Sequence, residues 1–136
     1  MKKIVWPGIV SGIAMLILGI AISYLFMIFP VVSADYSNVN IMRSWSDPLM
    51  SLFFISPFIL GIGLAWVWNR SKSLFSGSIW RRGANFGLIY FFIATIPGMI
   101  MSYSSFPLSF LTIISWTIGG LANGIVAGWI LAKMNN

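Results

Sequence analysis

The chain has 136 residues, 59% of them hydrophobic and only 7% charged, with a mean hydropathy of +0.94. Water-soluble domains carry about a quarter charged residues, so this composition excludes one. There is no Cys and no His, and Asp35 and Asp47 are the only acids; thiol redox chemistry is excluded, no imidazole or thiolate remains to ligate haem or a transition metal, and no cofactor is expected.

At about 20 apolar residues per crossing, the chain accommodates a single domain of four transmembrane helices. The first is expected at residues 4–29, behind Lys2 and Lys3, with Pro7 in its first turn and Pro30 as its stop. Such a run exceeds the roughly 30 Å hydrocarbon core, so tilt or overhang is expected. Its basic start and the small residues Val32, Ser33 and Ala34 also suit a cleaved signal peptide, but the run far exceeds the usual signal core of about 7–15 residues.

Residues 30–47 read as an outer loop, where Asp35, Tyr36, Arg43, Trp45 and Asp47 suit a cap over the outer mouth or a docking surface. The second span is expected at 48–69, with Pro48 at its start and a kink at Pro57. A basic loop, 70–83, follows. The third span is expected at 84–102, with a kink at Pro97 and Gly98, and the fourth at 108–132, before Lys133, which suits the negative end of a helix dipole.

Lys2, Lys3, Arg70, Lys72, Arg81, Arg82 and Lys133 fall on one side of these spans and Arg43 alone on the other. The positive-inside rule then predicts a multi-pass protein of the inner (plasma) membrane with both termini and the basic loop cytoplasmic. Trp6, Trp66, Trp68, Trp80 and Trp129 fall near the inner boundary and Trp45 near the outer one, as an aromatic belt does.

Sliding the chain by 79 positions aligns Lys2-Lys3 with Arg81-Arg82, Gly8 with Gly87, Gly19 with Gly98, and Ser23-Tyr24 with Ser102-Tyr103. A shift of 59 aligns Pro48-Leu49 with Pro107-Leu108, Ile55-Ser56 with Ile114-Ser115, and Gly61 with Gly120. The expected fold is therefore an all-α membrane protein built as two tandem helical hairpins, a 2+2 parallel pseudo-repeat. Chance matching of glycine-containing apolar helices is the competing explanation.

Gly120, Gly124 and Gly128 form consecutive GxxxG steps, which let two backbones approach closely in lipid. Gly8, Gly12 and Gly19 mark a comparable seam on the first span, with Gly98 matching Gly19 on the third. Asn123 is the most polar group deep in a span. With Ser109 and Thr112 at helical spacing it outlines a candidate polar path, although hydroxyls ordinarily bond their own helix and a lone Asn commonly clamps two helices. Arg70, Lys72, Arg81 and Arg82 are candidate contacts for anionic lipid, with Leu74, Phe75, Ile79 and Trp80 dipping into the interface.

No catalytic residues are expected, since no Ser has a His to activate it and no general base titrates near neutrality. The net charge of +6 follows from topology and does not imply nucleic acid. The leading expectation is a non-enzymatic membrane protein acting through helix packing, as a homo-oligomer or as an accessory subunit beside a partner membrane protein, with the lipid bilayer as its surroundings. The alternative is a channel or carrier for a small neutral or weakly charged solute. Pro57 aligns with Trp116 and Pro97 with Leu18, so the kinks are not repeated as a transporter's broken helices would be.

Overall fold

The computed structural model describes residues 2–136, and every regular element among them is helical. Helix α1 runs Lys2–Phe26, α2 Pro30–Ser37, α3 Ser51–Ser71, α4 Ile79–Tyr90, α5 Ile96–Ser105 and α6 Phe110–Met134. Short 3₁₀ turns extend α3 at both ends, and a wide π turn, Phe91–Thr95, joins α4 to α5. Four helices result that are long and apolar enough to cross a membrane: Lys2–Phe26, Pro48–Leu74, Ile79–Ser105 and Phe110–Met134.

The first span stops at Phe26, short of residue 29. Pro30 does not end that helix; it opens α2, where its fixed φ and missing N–H suit a first position. Phe29 before it is extended, φ −78° and ψ 123°, as the residue ahead of a proline prefers. The outer loop expected at 30–47 thus contains a helix.

The basic loop expected at 70–83 is also mostly helical. The α3 span continues to Leu74 and α4 begins at Ile79, because Ser78 caps α4 by accepting from the Arg81 N–H. The chain reverses at Gly77, whose φ of 101° is open to glycine and strained for other residues.

Pro97 cannot donate a backbone hydrogen bond and its ring presses on the carbonyl one turn back. The wider π turn ends two residues before it, at Thr95, and relieves that crowding. One extra residue in a turn rotates everything beyond it by about 100°, so residues after Thr95 leave the face a straight helix would give them.

Glycines set the helix pairing. A Cβ on Gly8 would sit 2.6 Å from Ile62 Cα and one on Gly12 2.9 Å from Phe58 Cα, while Gly61 abuts the Gly8 carbonyl; α1 and α3 therefore meet backbone to backbone. Helices α4 and α6 do the same, with Gly83 against Gly128 and Gly87 against Gly124, and Gly120 closes on Thr95. The shift of 79 matches Gly8 with Gly87 and the shift of 59 matches Gly61 with Gly120, yet Gly87 faces Gly124, one helical turn further on. Side by side, α3 packs on α1, α1 on α6, and α6 on α4.

The buried cluster of Leu64, Ala65, Trp68, Phe86, Ala127, Leu131 and Ala132, with Met15, fills one half of the bundle. Trp68 stacks on Phe75 and meets Phe86 edge-on. At this end the buried Asn135 ties the elements together: its carbonyl accepts from Trp68 Nε1, its Oδ1 accepts from Lys72 Nζ, and its amide donates to the Lys3 carbonyl and Asn69 Oδ1. Lys3, Lys72 and the C-terminal end of α6 are thereby gathered at one end, the basic end.

Candidate functional site

The bundle is closed at the basic end and splayed at the other. Helices α3 and α5 make no extended contact among the described residues, and between them lies a cleft of about 610 Å³. Its floor is α1 at Met15 and Gly19 and α6 at Ser115, Gly119 and Asn123; its walls are α3 at Ser56 and Pro57 and α5 at Met99. Tyr36 of α2 stands at the mouth with Trp116.

Asn123 lies near the middle of α6. Its Oδ1 is buried and has no hydrogen-bond partner among the described residues. A buried amide oxygen without a donor costs about 1–3 kcal/mol, so the bundle holds an unmet acceptor beside open space. Gly19 lies beside the amide nitrogen of the same side chain, a Cβ there reaching 3.7 Å from Asn123 Nδ2. The other polar side chains of the cleft include the hydroxyls of Ser23, Ser56, Ser115 and Tyr36, and no Asp, Glu, Lys or Arg lines it.

Helix α2 covers the mouth and is latched to the start of α6. Asp35 Oδ2 accepts from the Ser109 N–H at 2.9 Å and from the Ser109 and Thr112 hydroxyls at 2.6 Å each. One residue along, Trp116 Nε1 donates to the Tyr36 hydroxyl at 2.6 Å, and Val32 of the same helix is fully buried. Burial pushes the Asp35 carboxyl up, but the bonds from Ser109 and Thr112 outweigh it and hold the group below its ordinary value.

Ser109 and Thr112 therefore belong to the latch, and Asn123 alone of those three lines the cleft. The three residues share one helix but not one path, because Asp35 engages both hydroxyls.

Of the glycines, Gly8, Gly12, Gly120, Gly124 and Gly128 approach other helices of this chain closely, Gly19 borders the cleft, and nothing lies within 4 Å of a Cβ on Gly98. Gly98 follows the π turn, whose rotation carries it off the seam inferred for a straight helix. Gly61, Gly83 and Gly87 complete the close approaches; Gly83 and Gly87 stand four residues apart on α4, a spacing by which that pair was findable, whereas Gly61 has no such partner on α3.

Among the basic residues, Lys72 bonds Asn135, Arg82 bonds Asn136, and the Arg70 guanidinium lies 3.8 Å over the Trp66 ring. Arg81 packs its stem against Gly77. Phe75, expected to dip into the interface, turns inward against Trp68 and Phe86.

Four long apolar helices with an outward shell of exposed Ile17, Leu52, Ile59, Ile93 and Ile100 have the build of a small polytopic membrane protein. No protein-family model, curated protein or solved structure matches the chain.

Proposed function

We propose that this is a non-enzymatic membrane protein that binds a small, uncharged, hydrogen-bonding solute in the cleft, as a carrier does. The observation that carries the proposal is the Asn123 amide oxygen, buried without a partner beside about 610 Å³ of open cleft. An amide used purely for packing would be bonded to a neighbouring helix. The neutrality of the cleft's side chains favours an uncharged solute, because an ion would find no countercharge there.

In this reading the chain crosses the bilayer four times as two tandem hairpins. The seven basic residues on one side of the spans support cytoplasmic termini, which turns the mouth of the cleft outward. The second reading is a homo-oligomer or accessory subunit. It is favoured by Gly63 and Gly98, where nothing lies within 4 Å of an added Cβ, leaving two small positions on which another helix can rest.

The chain has no Cys, so single-cysteine labelling separates the two. A membrane-impermeant thiol reagent applied from the outer face is expected to modify Asn123→Cys and to leave Ala127→Cys, in the closed half, untouched. Protection of Asn123→Cys from both faces would remove the carrier proposal.

A further inference from the structure

We infer that the outer face of α4 and α6 at the basic end is a binding site for one anionic glycerophospholipid. A groove of about 340 Å³ runs there between Trp80, Val126, Trp129 and Ile130, with Lys133 at its rim. The two indoles meet edge to face with ring centroids 5.1 Å apart, and Trp129 Nε1 donates to the Trp80 carbonyl at 3.0 Å. That bond fixes the wall of the groove and satisfies the only polar atom of the Trp129 side chain. What remains is an apolar slot that suits an acyl chain, closed at its interfacial end by a cation.

Charge complementarity identifies the head group. Lys72 and Arg82 are bonded to the C-terminal residues and Arg70 lies over Trp66, whereas no hydrogen bond or ion pair engages Lys133 among the described residues. Both acidic side chains are at the far end, Asp35 at the start of α6 and Asp47 paired with Arg43. At 1.5 Å per residue the length of α6 puts Asp35 more than about 30 Å from Lys133, beyond screening range at physiological salt. A phosphodiester at the rim therefore meets Lys133, with no Asp or Glu side chain beside it. A free phosphate would gain the cation but not the slot, so the proposal commits to the lipid.

The test is native mass spectrometry of the full chain in detergent, supplied with equimolar phosphatidylglycerol and phosphatidylcholine of matched chains. One phosphatidylglycerol is expected to be retained per chain, with about a five-fold preference over phosphatidylcholine, the effect of one basic residue near an anionic head group. Lys133→Gln is expected to abolish the preference, Trp80→Ala to lower retention of both lipids, and Arg70→Gln to change neither. Glycerol 3-phosphate in excess is expected not to compete. Equal preference in Lys133→Gln and the unmodified chain, an Arg70→Gln loss as large as that of Lys133→Gln, or displacement by glycerol 3-phosphate would each overturn the assignment.

Discussion

Asp35 and Thr112 lie 77 residues apart in the chain and meet at 2.6 Å, the Thr112 hydroxyl donating to Asp35 Oδ2. Thr112 is fully buried, so this bond fixes the short helix α2 to the first turn of α6. The two donors of Ser109 converge on the same oxygen, and the carboxylate sits at the positive end of the α6 dipole, where a negative charge is favoured. An eight-residue helix is marginal by itself; α2 persists because Val32, Asp35 and Tyr36 dock it.

Replacing Asp35 with Asn removes the charge that strengthens three bonds and is expected to undock α2 by about 1–2 kcal/mol. Val32→Cys reports this directly, since position 32 is fully buried. Adding Asp35→Asn to Val32→Cys is expected to raise its rate of thiol labelling about ten-fold. An unchanged rate would show that the latch does not hold the helix.

The same carboxyl sets a pH dependence. Burial raises its pKa, the bonds from Ser109 and Thr112 more than offset that, and the folded value lies below the ordinary 3.8. A depressed carboxyl contributes stability above its unfolded pKa and loses it as pH falls through the folded value. Protection of the α2 amides from hydrogen exchange, corrected for intrinsic rates, is therefore expected to stay constant between about pH 5 and 8 and to decline only below about pH 4.

Glycine substitutions divide by what an added methyl meets. Gly61→Ala would drive a Cβ into the Gly8 carbonyl, and Gly128→Ala would do the same at Gly83. Neither obstacle is a side chain that can swing away, so each is expected to lose about 2–3 kcal/mol in unfolding by denaturing detergent, as overpacked sites do. Gly98→Ala meets nothing within 4 Å and is expected to be neutral or to gain up to about 1 kcal/mol from helix propensity.

The four spans are legible in the sequence because a long stretch without charge is a sum over some twenty residues and tolerates error at any one of them. Helix α2 is not, since its formation depends on Asp35 reaching Ser109 and Thr112 across more than half the chain. Asn123 is legible as the lone deep amide, whereas its separation from Ser109 and Thr112 is not, because helical spacing puts all three on one helix without saying which neighbours each meets. The π turn before Pro97 is invisible to any fixed period, and with it the displacement of Gly98. Asn135, only 4% exposed, gathers Lys3, Trp68, Asn69 and Lys72, yet a single amide beyond the end of an apolar run has no pattern to give it away.

Asn123 separates ligand binding from packing through the sign of one substitution. If its amide clamped two helices, replacing it with Leu would remove a bond of about 0.6–2 kcal/mol and destabilise the bundle. Its Oδ1 is instead buried without a donor, and the residue lines the cleft. Asn123→Leu is therefore expected to raise stability by about 1 kcal/mol, through removal of an unmet acceptor, while it abolishes solute binding in the cleft. Unfolding of the detergent-solubilised protein measures the first effect. The second is read by placing a reporter cysteine at Ser56, on the facing wall, and comparing its labelling from the outer face with and without the Leu. Greater stability combined with slower labelling of position 56 is the expected pair; a destabilised Asn123→Leu would assign the amide to packing and take away the support on which the carrier proposal stands.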